Sequence, residues 1–255
     1  MTRVSDAGRS AVTLLTVLPV RGAVGDPGLT MRLAPAVGLL LAVPLSLLAV
    51  VADRFTSSLL AAAVTVAALA LLTRGLHLDG LADLTDGLAS YRPPAEARAV
   101  MKQPDVGPLG VAAVVLVLLV DTAALTTCLV AGRGVTALVV ALMTGRLALT
   151  AACTRRVPAA TGHGLGAQVA GTVGRGWTTG LALATALTGT AVLLVEDGLG
   201  GSLVLPAIAV AVGLGVARLV RAHAVRRLEG ITGDVLGALV ELATATALIV
   251  LAVQP

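Results

Sequence analysis

Long apolar runs alternate with short polar or glycine- and proline-rich stretches along the whole chain. Each run approaches the roughly 20 residues that an α-helix needs to cross the hydrocarbon core of a bilayer. Runs of this length favour helices over a barrel, because a helix satisfies its backbone hydrogen bonds within one segment. The pattern predicts seven spans, at residues 33–52, 56–73, 109–131, 135–153, 178–195, 203–222 and 235–253.

The composition agrees with a membrane location. Hydrophobic residues make up 57% of the chain and charged residues 13%, and the mean hydropathy is +0.98. Soluble domains carry about 25% charged residues, so a soluble surface cannot cover this much apolar area. We therefore predict an all-α fold, a polytopic transmembrane helix bundle that forms a single integral membrane domain over residues 1–255. The lipid bilayer is its expected environment, and no nucleic-acid partner is expected.

Residues 1–32 are predicted to form an N-terminal interfacial segment. The apolar stretch at residues 11–20 ends near Pro19 and lacks the small-residue cleavage pattern of a signal peptide. It is too short to span a bilayer, so we predict an interfacial helix there. The mature chain is accordingly expected to begin near Met1.

Basic residues are distributed unevenly between the two sets of loops that seven spans create. Fifteen of the eighteen fall on one side, only Arg54 and Arg133 fall on the other, and Arg146 lies within a span. Because cytoplasmic loops are enriched in Lys and Arg, we place the fifteen in the cytoplasm. The long polar segments then share the cytoplasmic face, and the longest of them, 74–108, is the predicted active-site segment.

The predicted active-site segment contains three aspartates at a helical spacing. Asp79, Asp83 and Asp86 stand at positions i, i+4 and i+7, which share one face of a helix. Three neighbouring carboxylates repel one another beside a membrane and need a compensating cation. Hard oxygen ligands favour Mg²⁺ or Mn²⁺ over zinc, and Mg²⁺ is usually held by a few carboxylates together with substrate phosphates.

A different interpretation of the three aspartates is a solvated helix face at the membrane surface. Two glycines argue against it, because Gly80 and Gly87 each follow an aspartate and each costs a helix about 1 kcal/mol relative to Ala. A glycine lets a phosphate or another helix approach the backbone closely. The glycines therefore favour a functional site.

Other residues on the predicted cytoplasmic face of the membrane are candidates for binding a diphosphate. Lys102 precedes a turn at Gly107, and its charge suits a phosphate beside a metal, although it also fits the positive-inside pattern. The loop 161–176 has six glycines in 16 residues and either wraps a nucleotide or is simply flexible. Asp234, at the entrance of the last span, is either a ligand of the substrate or of a second metal, or a helix N-cap.

Three ionisable residues fall inside predicted spans, where such residues are functional hypotheses by default. Asp121 and Arg146 lie near the middle of adjacent spans, and we predict that they pair in a structural role. Glu241 lies about two turns into the last span. It reaches either the site or a neighbouring helix.

The segment around the aspartates resembles a known family signature. Its residues read His77-Leu78-Asp79-Gly80-Leu81-Ala82-Asp83 and continue to Asp86-Gly87. This run is similar to the signature of the cobalamin synthases, the adenosylcobinamide-GDP ribazoletransferase family. Further ordered similarities cover most of the chain, at residues 15–20, 100–110, 164–166, 232–234, 236–238 and 241–242. The sequence departs from many members at Gln103 and Asp105, so we assign no role to Asp105.

The resemblance implies a Mg²⁺-dependent enzyme of the bacterial plasma membrane whose active site faces the cytoplasm. Its substrates would be adenosylcobinamide-GDP and α-ribazole or α-ribazole 5′-phosphate, and its products adenosylcobalamin or its 5′-phosphate and GMP. Asp79, Asp83 and Asp86 would hold the metal, and one of them or His77 would accept the proton of the attacking ribose hydroxyl. The implied substrate contacts are Lys102, Gly107, Gly164, Gly166 and Asp234. A homo-oligomer is compatible with such an enzyme.

Two other classes of membrane protein compete with this interpretation. CDP-alcohol phosphotransferases also use spaced aspartates, but their signature continues from Asp-Gly to Ala-Arg, whereas here Gly87 is followed by Leu88-Ala89-Ser90. A transporter would line its path with the ionisable residues of the spans. It predicts internal repeats, which the sequence does not show, and it leaves the three aspartates unexplained.

Overall fold

The computed structural model describes residues 2–21 and 25–253, and that part of the chain forms eleven α-helices. They are α1 (Thr2–Leu15), α2 (Pro27–Phe55), α3 (Ser58–Leu72), α4 (Leu76–Ala89), α5 (Pro94–Val100), α6 (Pro108–Val130), α7 (Gly134–Ala152), α8 (Gly164–Val169), α9 (Arg175–Asp197), α10 (Leu205–Leu228) and α11 (Gly233–Ala252). Met1, the predicted start of the mature chain, and residues 22–24 of the predicted interfacial segment lie outside the described residues.

The predicted all-α polytopic bundle is confirmed. Six of the described helices, α2, α6, α7, α9, α10 and α11, are long and apolar enough to cross a membrane. The remaining predicted span, 56–73, corresponds to α3, which has 15 residues and meets α4 at an angle of 86°. The count is therefore six spans, or seven if α3 and α4 together are treated as one bent span.

The position of α3 follows from the contacts at its end. One cavity is lined jointly by α1, the beginning of α2, the turn after α3, and α8. In addition, the backbone N–H of Val17 donates to the carbonyl of Leu72, 2.8 Å away. Hence α2 begins and α3 ends at the same end of the bundle. The 15 residues of α3 rise about 22 Å, which carries the chain back from the far end of α2.

Helix α7 is the central helix of the bundle. Nearly all of its residues are buried, and it packs against α2, α9, α10 and α11. The surrounding helices instead expose large apolar side chains, including Leu116 on α6, Leu187 on α9 and Leu219 on α10. Such outward-facing leucines are expected where a helix meets lipid.

The N-terminal boundaries differ from the prediction. The predicted helix at residues 11–20 is wrong in its bounds, because α1 begins at Thr2 and ends at Leu15. The hydroxyl of Thr16 accepts from the N–H of Leu18 at 3.1 Å, and Pro19 has no N–H to continue the helix. The first span begins at Pro27, within the predicted interfacial segment, because the Asp26 carboxylate caps it by accepting from the N–H of Leu29.

The predicted pairing of Asp121 with Arg146 is also wrong. Both side chains are buried, at 3% and 1% exposure, but they form no ion pair with each other. Glu241 of α11 is the charged group that interacts electrostatically with each of them. Its carboxylate also lies 3.9 Å from Nδ1 of His77 on α4. Glu241 therefore lies among buried ionisable groups of α4, α6 and α7.

Helices α2 and α7 approach each other closely at one glycine. A Cβ atom added at Gly38 would lie 2.5 Å from the carbonyl oxygen of Leu142. That atom belongs to the backbone of the central helix and cannot rotate away. The absence of a side chain at Gly38 is therefore a packing requirement.

We expect Gly38→Ala to lower the free energy of unfolding by about 1–3 kcal/mol, because the two backbones must separate. The measurement is the thermal unfolding midpoint of purified protein in detergent. Gly215→Ala on α10 is the matched control, since a Cβ there meets no atom within 4 Å. The control should be neutral or slightly stabilising. Equal midpoints for the two variants would contradict the packing argument.

Candidate active site

Segments that are far apart in the sequence meet at one end of the bundle and enclose a cavity of about 280 Å³. Its lining consists of Arg98, Met101, Lys102, Thr161, His163, Gly164, Leu165, Gly166, Thr232, Gly233 and Asp234. Four of the five residues predicted to bind substrate belong to this lining, namely Lys102, Gly164, Gly166 and Asp234. The fifth, Gly107, contacts Asp86 instead.

Helix α4 is brought to this cavity by a sharp turn. Arg74 and Gly75 both have left-handed backbone conformations, with φ of 56° and 64°, and α4 leaves α3 at 86°. Gly75 adopts this conformation freely, whereas for Arg74 it is strained. The turn lays α4 across the beginning of α11 rather than continuing the line of α3.

Two glycines allow α4 and α11 to touch. A Cβ at Gly80 would lie 2.7 Å from the carbonyl oxygen of Asp234, and a Cβ at Gly237 would lie 3.2 Å from Cα of His77. Gly80 therefore makes room for another helix, which is one of the two roles that the sequence suggested for it. The contact places Asp79 and Asp83 of α4 beside Asp234 of α11.

The pKa of Asp83 reflects the proximity of these acids. Burial, followed by the carboxylates of Asp234 and Asp79, raises the pKa of Asp83 from its usual value to about 6. Lys102 opposes the shift. The three acids thus act on one another through partly desolvated surroundings, where a proton or another cation would relieve their repulsion.

Lys102 provides one positive charge at the same place. Its Nζ donates to Oδ2 of Asp234 at 2.8 Å. Partial burial lowers the pKa of Lys102, but the hydrogen bond to Asp234 and that residue's charge outweigh burial, so the net shift is upward. The ammonium stays charged at the cavity, as binding of a phosphate would require.

The N-cap of α11 is Thr232 and not Asp234. The hydroxyl of Thr232 accepts from the N–H of Val235 at 3.2 Å. The carboxylate of Asp234 is therefore available to Lys102. Of the two roles considered for Asp234, the structure favours the one in the site.

Asp86 has a different environment from the other two aspartates of α4. Its carboxylate oxygens accept from the backbone N–H groups of Gly107, at 2.7 Å, and Gly110, at 2.8 Å. These donors lie at the N-cap and in the first turn of α6, so Asp86 caps that helix from outside. Asp234 and Asp86 both act electrostatically on Asp83, and Asp234 has the larger effect.

His77 lies beneath the cavity and not in its lining. Its side chain is 2% exposed and is enclosed between α4 and α11, next to Glu241. Neither ring nitrogen has a hydrogen-bond partner among the described residues. Asp79 and Asp83 do not line the cavity either, but Asp83 interacts electrostatically with Asp234 and Lys102, which do.

The glycine-rich loop is held in place rather than free. The N–H of Ala160 donates to the carbonyl of Ile231 at 3.1 Å, and the N–H of Ile231 donates to the carbonyl of Pro158 at 2.9 Å. A Cβ at Gly166 would lie 2.3 Å from the carbonyl oxygen of Ile231. These contacts fix α8 against the loop that precedes α11 and form one wall of the cavity.

Sequence reasoning gave no role to several residues that line the cavity. His163 and Thr161 belong to the glycine-rich loop, whose polar side chains were the available signal. For Arg98, a basic residue of the predicted active-site segment, the sequence left open a contact with diphosphate or an ordinary positive-inside role. Its guanidinium donates to the carbonyl of Leu228 at 2.7 Å and to the carboxylate of Glu229 at 3.2 Å. It therefore joins α5 to the end of α10 at the cavity wall.

The fold and this site define a polytopic α-helical membrane protein with an acidic, lysine-containing cavity at one end of its bundle. The sequence profile of the Cobalamin-5-phosphate synthase family matches residues 7–252. The chain belongs to this family. Membership also argues against the CDP-alcohol phosphotransferase and transporter interpretations.

Curated relatives extend over nearly the whole chain. The adenosylcobinamide-GDP ribazoletransferase of Frankia casuarinae is 45% identical, with 96% of this chain and 93% of that protein covered. The protein of the same name from a Nocardioides species is 43% identical, with 96% and 97% covered, and that from Stutzerimonas stutzeri is 38% identical, with 96% of each covered. No solved structure shows significant similarity to the chain.

We expect Asp86→Ala to lower the free energy of unfolding by about 0.5–2 kcal/mol, because it removes the cap of α6. The thermal unfolding midpoint in detergent measures the change. Asp105→Ala, which removes an exposed carboxylate from the same segment, is the control and should unfold at the wild-type temperature. An Asp86→Ala protein as stable as this control would refute the capping role and restore Asp86 as a candidate metal ligand.

Proposed function

We propose that this protein is an adenosylcobinamide-GDP ribazoletransferase. It transfers the GDP-activated corrinoid phosphate of adenosylcobinamide-GDP to α-ribazole or α-ribazole 5′-phosphate. The products are adenosylcobalamin or its 5′-phosphate, and GMP. The observation that carries the proposal is the convergence of Lys102, Asp234 and the glycine-rich loop on one cavity beside Asp79 and Asp83, in a chain that belongs to the family along its length.

The reaction is a displacement at phosphorus, and its atoms balance without a redox partner. The oxygen of the ribazole ribose hydroxyl forms a bond to the phosphorus nearer the corrinoid. The bond from that phosphorus to the oxygen bridging to GMP breaks, and GMP leaves with the bonding electrons. The hydroxyl proton passes to a base. Positioning and charge stabilisation provide most of the catalysis in such transfers.

The side chains of the cavity fit these requirements. Lys102 and Arg98 line it and supply positive charge to a bound diphosphate. We assign the proton to Asp79 or Asp83, because His77 is enclosed beneath the cavity. Asp234 holds the ammonium of Lys102 at the cavity through their hydrogen bond.

Mg²⁺ suits the donor set of Asp79 and Asp83. Both offer hard oxygen ligands, and the pKa of Asp83 is raised by burial and then by neighbouring carboxylates, whose repulsion a cation would relieve. Among the described residues no group of three His, Cys, Asp or Glu side chains is arranged to hold a metal by itself. Proteins usually hold Mg²⁺ through one or two carboxylates together with substrate phosphates, which agrees with this arrangement. When bound, the ion would neutralise charge on the diphosphate.

We further propose that the cavity faces the cytoplasm of a bacterium from its plasma membrane. The distribution of basic residues supports this orientation, because the end of the bundle that carries the cavity also carries most of the Lys and Arg. The water-soluble substrates and the released GMP would then exchange directly with the cytoplasm.

The proposed activity is tested with purified protein in lipid vesicles supplied with adenosylcobinamide-GDP and α-ribazole 5′-phosphate. We expect GMP and the cobalamin product to form together. Asp79→Asn and Asp83→Asn should each lower kcat about a thousandfold, because each removes a carboxylate that acts in the transition state. Asp105→Asn is the matched control and should retain turnover within about threefold of wild type.

Thermal unfolding midpoints distinguish loss of chemistry from loss of folded protein in these variants. Asp79→Asn and Asp83→Asn should unfold at or slightly above the wild-type temperature, because each relieves repulsion among carboxylates. Turnover within about tenfold of wild type for either variant would defeat the assignment.

Removal of divalent cations should abolish turnover, and Mg²⁺ alone should restore it, because the acidic side chains offer only hard oxygen ligands. The measurement is GMP release before and after exhaustive chelation, followed by addition of Mg²⁺. Addition of Zn²⁺ at the same concentration is the comparison and should restore less activity. Undiminished turnover after chelation would exclude the metal requirement.

A further inference from the structure

A second cavity lies next to the candidate active site. It has a volume of about 380 Å³, within the range of small-molecule sites, and lies between α1, the beginning of α2, the turn after α3, and α8. The side chain of Leu165 on α8 lines both cavities. Helix α8 is therefore the wall between them.

Part of the second cavity's lining is apolar, and one buried polar atom in that lining has no hydrogen-bond partner in the described part of the chain. Leu14, Met31 and Val169 contribute apolar surface. Thr30 lines the same space and is 5% exposed, and its hydroxyl oxygen has no hydrogen-bond partner among the described residues. Buried polar atoms are nearly always paired in proteins, so this hydroxyl indicates a ligand with a polar atom near an apolar surface.

Two arginines from different elements stand at the second cavity. Arg9 comes from α1, and Arg74 comes from the turn between α3 and α4. Arg74 has a strained left-handed backbone, and its guanidinium donates to the carbonyl of Thr13 on α1 at 3.4 Å. The carboxylate of Asp6 lies 4.0 Å from the guanidinium of Arg9, at the outer limit of an ion pair. Two guanidinium groups at one cavity are suited to a phosphate.

We propose that the second cavity binds the ribazole substrate. The aromatic base packs on the apolar interior, the hydroxyl of Thr30 pairs with a polar atom of the nucleoside, and the 5′-phosphate contacts Arg9 and Arg74. This assignment rests on the proposed function. It places the base and the 5′-phosphate on one side of α8 and the corrinoid diphosphate on the other, with the attacking ribose at Leu165, which lines both cavities.

The two cavities differ in their chemistry, and this difference supports the assignment of one substrate to each. The first cavity combines Lys102 with nearby carboxylates, as a diphosphate with its cation requires. The second combines an apolar interior with guanidinium groups, as a base that carries a single phosphate requires. One consequence is that recognition of the 5′-phosphate can be changed without changing recognition of the GDP-activated substrate.

The test compares KM values for three substrates in Arg9→Gln and Arg74→Gln proteins in vesicles of a zwitterionic lipid. We expect each substitution to raise the KM for α-ribazole 5′-phosphate about tenfold or more. The KM for unphosphorylated α-ribazole and for adenosylcobinamide-GDP should stay within about twofold of wild type. Arg3→Gln is the matched control, since it removes the same charge from α1 outside the cavity lining, and it should change none of the three.

Thr30→Val tests the interior of the cavity. The substitution keeps the shape of the side chain and removes the unpaired hydroxyl, so the thermal unfolding midpoint should be unchanged or higher. The KM for both forms of ribazole should rise about fivefold, with no change for adenosylcobinamide-GDP. A purely structural role for Thr30 would lower the midpoint or leave all KM values unchanged, and either result would overturn its assignment.

Three results would overturn the proposal as a whole. The first is an unchanged KM for α-ribazole 5′-phosphate in both arginine variants. The second is a rise confined to adenosylcobinamide-GDP, which would assign the cavity to that substrate. The third is an effect that appears only in vesicles containing an anionic phospholipid, which would assign the arginines to a lipid headgroup.

Direct binding separates failure of this proposal from failure of the proposed function. Calorimetry of wild-type protein with α-ribazole 5′-phosphate alone should show saturable binding that Arg74→Gln weakens about tenfold. If wild-type protein forms cobalamin but Arg74→Gln binds the nucleotide normally, the assignment of the second cavity is wrong and the function stands. If wild-type protein neither binds the nucleotide nor forms product, the proposed function fails.

Discussion

The close approach of α4 to α11 is the contact on which the rest of the site depends. It exists because Gly80 and Gly237 have no side chains, which lets the two backbones pack directly against each other. Asp234 and His77 lie at this contact, one on each helix. The carboxylates of α4 therefore meet the beginning of α11 above the contact, and Glu241 meets His77 below it. A wider separation of the two helices would disperse both groups.

The ionisable residues near this contact lie at two depths in the bundle. Asp79 and Asp83 stay at the end of the bundle, within reach of water and cations, while His77, Asp121, Arg146 and Glu241 are enclosed deeper between the helices. The carboxylate of Asp86 instead accepts hydrogen bonds from two backbone N–H groups at the positive end of α6. Three aspartates at one helical spacing thus have different environments, because each faces a different neighbour.

The positions of the spans could be read from the sequence with small errors, because the thickness of a bilayer sets the length of an apolar helix. The predicted run 135–153 corresponds to α7 almost residue for residue. The larger errors lie at helix ends outside the apolar runs. The Asp26 cap starts α2 before its apolar run, and α10 continues through several arginines to Leu228. The bend between α3 and α4 had no clear signal, since it needs a left-handed Arg74 as well as Gly75.

By itself the sequence determined the membrane bundle, the shared helical face of Asp79 and Asp83, and the family signature, since periodicity and composition are local properties of the chain. The tertiary structure alone decided which residues complete the site. It added Asp234 to the acids of α4, brought Lys102 to that aspartate, gave Asp86 two backbone N–H partners and enclosed His77 beneath the cavity. Such choices depend on which helix packs against which, and at what separation. Contacts such as Lys102 with Asp234 join residues more than a hundred positions apart, and no local pattern records them.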